Sequence, residues 1–103
     1  MNQSPLELLG GLPGADRILE GLNDFHGGRH SIPACLVRMA RPRLSRAGLM
    51  QASAPCDDGA ELELYGLLAL EGTRAHGSYN ALVRELVSFE HALDHRLSRQ
   101  RPA

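Results

Sequence analysis

Between residues 58 and 98, apolar or small side chains recur at alternating steps of three and four: Tyr65, Leu68, Gly72, Ala75, Tyr79, Leu82, Leu86, Phe89 and Leu93. That period lays one side chain per turn along a single helix face. The pattern predicts a helix over about 58–98, roughly 60 Å long if unbroken. Gly72 and Gly77 each cost about 1 kcal/mol relative to Ala in a helix interior. Two forms therefore compete. In one the helix is continuous, with Gly72 and Ala75 as a flat spot where another helix can approach; in the other, 72–77 is a turn and Ser78 caps a separate final helix. The heptad phase survives across the glycines, and a turn has no reason to preserve it, so the pattern favours the continuous form. Asp58-Gly59-Ala60-Glu61 opens the stretch with an acidic capping pattern. Residues 61–65 alternate as a strand would, but nothing else in the chain offers a strand to pair with.

Upstream, Ser4-Pro5-Leu6-Glu7 combines a capping Ser, a Pro at the first helical position and a Glu three residues after the cap, which predicts a helix start. Gly10 and Gly11 stop that helix early, so it reads as a lid whose Leu6, Leu8 and Leu9 need cover. Over 13–26, Ala15, Ile18, Leu19, Leu22 and Phe25 recur at helical spacing, and Gly27-Gly28 ends the run. Ser31 caps a third helix with Ile32, Leu36, Met39 and Ala40 on one face and Arg38, Arg41 and Ser45 opposite. Pro42 predicts a kink near Arg38 and Met39, or a stop and restart before 44–49. Residues 48–55 are small and polar and read as a loop.

These elements make an all-α domain, a small bundle of four or five helices with a long C-terminal helix packed by the helices at 13–26 and 31–47. Residues 1–99 form one domain, and 100–103 read as a disordered tail. The 43% apolar content comes mainly from Leu and Ala, with two Tyr, two Phe and no Trp among 103 residues, which favours helix over sheet. All eleven basic residues are Arg and none is Lys. A GC-rich genome accounts for that more simply than selection for phosphate binding does. The net charge of −1 gives no overall attraction to polyanions or acidic membranes. Cys35 and Cys56 lack any zinc-site spacing and read as free thiols. No basic leader with an apolar run and no membrane-length apolar stretch occurs, so the expectation is a cytoplasmic protein with no membrane partner.

Candidate chemistry is sparse. His91 and His95 share a helix face at the spacing of a chelating pair, but projection puts them opposite Leu86 and Leu93 with Arg84 alongside, so they are weak metal candidates and no cofactor is expected. His26 and His30 straddle a helix stop, and no Glu-x-x-His pair suggests a di-iron bundle. Glu90 projects into the apolar sector between Leu86 and Val83, with Asp94 at its edge. A carboxylate there must find a partner or stay protonated; Arg43 and Arg46 are the candidates. No nucleophile elbow, P-loop or dinucleotide fingerprint occurs, and the chain is not expected to be an enzyme. Residues 29–46 hold five Arg and no acid, while 57–71 hold five acids and no base. The first block, with Arg38, Arg41, Arg43 and Arg46, is a candidate phosphate-binding helix. Two blocks facing each other in the fold account for both at once.

The leading functional expectation is a small intracellular non-enzymatic helical protein, either a homodimer or docked on a protein partner. The interface would be the seam Tyr65, Leu68, Gly72, Ala75, Tyr79, Leu82, Leu86, Phe89 and Leu93, because few other elements exist to cover it. The alternatives are a nucleic-acid-binding regulator using the Arg-rich helix at 31–47 and a metal- or ligand-binding protein centred on Glu90, His91 and His95.

Overall fold

Six helices follow one another among the residues that the computed structural model describes, 5–50, 59–72 and 74–100: α1 (Pro5–Leu9), α2 (Ala15–His26), α3 (Ile32–Met39), α4 (Arg41–Arg46), α5 (Ala60–Glu71) and α6 (Ala75–Gln100). No strand occurs among them. The fold is an all-α bundle with a long C-terminal helix. The 26 residues of α6 span about 39 Å and account for most of the 48 Å long axis of a molecule 25 × 20 Å across. Ser4, Cys56, Asp58 with its capping pattern, most of the 48–55 loop and the tail from residue 101 onward lie outside the described residues. Gln100 itself closes α6.

The helix count exceeds four or five because both sequence interruptions are full breaks. Pro42 cannot continue α3 without its ring meeting the carbonyl of Arg38, four residues back. The chain instead stops at Met39, turns at Ala40 and restarts with Pro42 in the first turn of α4. The Ala40 carbonyl accepts from the amides of both Arg43 and Leu44, at 3.1 and 3.0 Å, so the restart leaves little of its backbone unpaired.

The second break is at Gly72, and the terminal stretch takes the broken form rather than the continuous one. Gly72 adopts extended backbone, φ 166° and ψ −172°, and α6 begins at Ala75, ahead of Ser78. Gly77 therefore sits inside α6, and no cap is needed from Ser78, whose amide already donates to the Arg74 carbonyl at 2.9 Å. A Cβ built at Gly72 or Gly77 meets nothing within 4 Å, so neither glycine serves a close helix crossing. The break folds the terminal stretch back on itself. It lets Leu64 and Leu68 reach the same core as Leu86, Phe89 and Leu93, and it brings the rings of Tyr65 and Tyr79, each seven residues from Gly72, to 5.6 Å. The heptad phase persists across the break because both arms pack on one core.

α3 is the centre of the bundle. Ala34, Cys35, Leu36 and Val37 are all buried, consecutive residues that point around the whole helix circumference. The one-sided reading of this helix is therefore corrected: α2 covers one side, α5 another, and even the Arg38 side chain is only 14% exposed. α2 approaches α3 at Gly21, where an added Cβ would overlap the Pro33 carbonyl and lie 2.6 Å from Val37 Cγ2.

The α2–α3 corner is built from hydrogen bonds. Gly28 takes the left-handed conformation at φ 74°, which only glycine adopts without strain. The Arg29 amide then reaches back to the Asp24 carbonyl at 2.8 Å and the Gly28 amide to that of Phe25 at 3.1 Å, closing the helix end. Ser31 Oγ accepts from the Ala34 amide and donates to Asp24, at 3.2 and 2.7 Å. α1 does pack as a lid, with Leu8 and Leu9 buried, but Leu6 is 69% exposed. Arg96 of α6 secures it, donating to the carbonyls of Leu8 and Gly10 at 2.7 and 2.8 Å.

Candidate functional site

Most of the charged residues near the core are engaged in holding helices together. Arg43 reaches from α4 to α6, where its Nη1 lies 3.3 Å from Glu90 Oε2 and its Nε 3.0 Å from Asp94 Oδ2. The Glu90 side chain is 14% exposed. Burial pushes its carboxyl above the ordinary range against the pull of Arg43, and the neighbouring Asp94 adds to the rise. A second junction gathers on Glu63 of α5, which lies 3.0 Å from Arg38 Nη1 and 3.1 Å from His30 Nδ1 and accepts from Cys35 Sγ at 3.4 Å. Burial opposes ionisation of Glu63, yet bonds from Arg38, His30 and Cys35 hold its carboxyl below the ordinary value. Burial first, then the Glu63 carboxylate, pushes the Cys35 thiol up to about 12. A thiol so protected is no nucleophile.

The four candidate phosphate-binding arginines do not form one surface. Arg38 faces Glu63, Arg41 lies over the Phe25 ring at 5.1 Å, and Arg43 is taken by Glu90 and Asp94. Arg46 alone of the four is exposed. The basic and acidic blocks meet through Arg38 and Glu63, while Arg43 finds its carboxylates on α6. His91 and His95 are exposed. His95 lines an open groove of about 460 Å³ with Leu12, Ala92, Arg96 and Arg99, where two guanidinium groups oppose a cation. Among the described residues no group of three or more His, Cys, Asp or Glu side chains is placed to hold a metal ion, so a metal at His91 and His95 would need ligands from elsewhere.

The apolar seam is largely spent inside the molecule. Leu68, Leu86, Phe89 and Leu93 are buried in the common core, and Ala75, Tyr79 and Leu82 pack against it. Of the seam residues, Tyr65 at 41% and Gly72 are exposed. What remains open lies on the other side of α5. At 100° per residue, Leu62, Tyr65, Gly66, Ala69 and Leu70 fall within a sector of about 140°, opposite the buried Ala60, Leu64 and Leu68. All five are exposed, with Leu62 at 77% and Leu70 at 85%. Glu61 and Glu71 flank the helix ends, and neither makes an ion pair among the described residues. α5 is thus apolar on two opposite faces, whereas one face suffices for a helix on the surface of a bundle.

A heptad reading passes over Leu62 and Leu70 because it follows the line through Tyr65, Leu68 and Gly72. The signal that finds them is the lack of polar positions: residues 60–71 carry Glu61, Glu63 and Glu71 and otherwise only apolar or small side chains and Tyr65. No helix among the described residues is long and apolar enough to cross a membrane. No protein family, no curated protein and no solved structure matches the chain.

Proposed function

We propose that this chain is a small cytoplasmic, non-enzymatic helical protein that docks on a protein partner through its C-terminal helical hairpin, with the outer face of α5 as the contact. One observation carries the reading: Leu62 and Leu70, at 77% and 85% exposure, stand with the exposed Gly66, Ala69 and the outer edge of Tyr65 on one face of α5. Contiguous exposed apolar side chains are the mark of an interaction surface. The small Gly66 and Ala69 allow another backbone to come close at the middle of the face. The free Cys35 thiol fits a reducing compartment. The reading moves the interface from the seam to the opposite side of the same stretch, since Leu86, Phe89 and Leu93 are already occupied.

Photo-crosslinking tests it. A photoreactive residue is placed at Leu62 or Leu70, and as a control at Arg84 on the outer side of α6, in cells that naturally make the protein. Discrete higher-mass adducts from 62 and 70 but not 84 are expected. Equal labelling at all three positions, or none at 62 and 70, would refute the reading.

A further inference from the structure

Arginines that do share a surface lie near the end of α6. Ala92, His95, Arg96 and Arg99 follow one another at steps of three, one and three, the spacing of a single helix face. With Leu12, from the turn between α1 and α2, they line the open groove of about 460 Å³. No carboxylate is among its lining residues. Those of α6 are taken elsewhere, Glu85 by Arg17 and both Glu90 and Asp94 by Arg43. Among the described residues His95 and Arg99 make no hydrogen bond or ion pair. Like charges three or four residues apart on a helix repel one another, so an anion brought to this groove relieves an unfavourable arrangement.

Arg96 is already held for an incoming group. Its Nη1 donates to the carbonyls of Leu8 and Gly10 at 2.7 and 2.8 Å, which occupies that nitrogen and fixes the guanidinium against α1. Its Nε and Nη2 protons make no hydrogen bond among the described residues. That edge is the fork that grips a carboxylate or phosphate through two parallel bonds. A donor held in place beforehand loses little freedom when a ligand arrives. The negative end of the helix dipole explains one base in the last turn, Arg99, but gives no reason for three beside the apolar Leu12 and Ala92.

We infer that this groove binds a small organic anion, a phosphate monoester with a compact apolar body. The phosphate sits between Arg96 and Arg99 with His95 as a further donor, and the body rests on Leu12 and Ala92. Two guanidinium groups match the two charges of a phosphate monoester, whereas a carboxylate brings one. The volume falls in the range of small-ligand sites. Arg84, the preceding arginine of α6, is twelve residues from Arg96, about 18 Å, so no basic track runs along the helix for a polyanion. The groove shares no residue with α5, and the inference does not rest on the docking reading.

The test is isothermal titration calorimetry of the full chain with phenyl phosphate, benzoate and inorganic phosphate. Phenyl phosphate should bind saturably and at least about tenfold more tightly than benzoate, which lacks the second charge, and than inorganic phosphate, which lacks the apolar body. Arg99→Gln changes an exposed side chain and leaves the bonds from Arg96 to α1 in place. It should weaken phenyl phosphate binding at least about tenfold, the loss of a charge-assisted hydrogen bond. Arg84→Gln, on the outer side of α6, removes the same charge away from the groove and should change binding by no more than about twofold. Absence of saturable binding, or a loss in Arg99→Gln no larger than in Arg84→Gln, would overturn the inference. Benzoate or inorganic phosphate binding as tightly as phenyl phosphate would overturn the assignment of the ligand as an apolar phosphate monoester.

Discussion

Arg43 and Glu90 face each other across the gap between the short α4 and the long α6, 3.3 Å apart at their nearest charged atoms. The carboxylate is the more deeply placed of the two, and the guanidinium is what allows it to remain charged there. Arg43→Leu should therefore destabilise the fold by about 1–3 kcal/mol at pH 7, below the 3–5 typical of a fully enclosed pair because the Arg43 side chain keeps 34% exposure. Arg43→Leu/Glu90→Leu should recover most of the loss. Urea unfolding of the three proteins measures it; a double variant no better than the single one would refute the assignment.

Two carboxylates should respond to pH in opposite directions. The Ser31 hydroxyl and Arg29 hold Asp24 below its ordinary 3.8, so its unfolded state binds more protons as pH falls. Its contribution is present above 3.8 and is lost as pH drops through the lower folded value. Glu90 is raised above its ordinary 4.5, so its contribution is present below 4.5 and is lost as pH rises through the folded value. The Tm deficit of Asp24→Asn should close at pH values under 3.8, while Glu90→Gln should improve relative to the natural protein between pH 4.5 and 7. Parallel Tm curves for either variant would contradict this.

Glycines that look alike along the chain should differ in sign on substitution. Gly21→Ala drives a methyl into the Pro33 carbonyl and Val37, and the helices must part at a cost of about 1–3 kcal/mol. Gly77→Ala fills open space within α6 and should gain about 0.5–1 kcal/mol from the helix propensity of Ala. Chemical denaturation of the pair is decisive, with equal effects counting against the close α2–α3 crossing.

Cys35 should be chemically silent in the folded protein. With no exposed surface and its thiol pushed up to about 12, it offers almost no thiolate at neutral pH. In a Cys56→Ser background, a disulfide reagent should label nothing until denaturant is added, then one equivalent. Rapid labelling of the native variant would show that α3 and α5 part readily.

Helical periodicity carried the all-α class, because amphipathic spacing is dictated by backbone geometry whatever the neighbours are. The Gly28 corner and the α3–α4 stop were legible for a related reason: Gly and Pro restrict or free the backbone locally. The break at Gly72 was not. Its outcome depends on whether Leu64 and Leu68 gain more against α3 than a straight helix would keep, a tertiary comparison that no local signal contains. Glu90 stood out by projecting into the apolar sector, a property of one helix alone. Gly21 did not, since its role exists only where Pro33 passes it, and Arg96 likewise depends on carbonyls that α1 presents from the other end of the chain. The α5 face was hidden by a pattern that tracks one stripe, when the informative feature was a second stripe opposite.

The two bonds from Arg96 to the carbonyls of Leu8 and Gly10 span 88 and 86 residues. A clasp of that sequence separation closes a long loop, at an entropic cost that grows with its length, and ties the start of the described chain to its last helix. In kinetic terms it is expected to close late in folding and to open early in unfolding. Releasing it frees the lid that carries the buried Leu8 and Leu9, so a protease is expected to meet the hydrophobic interior first at the end of the bundle where Arg96 holds α1.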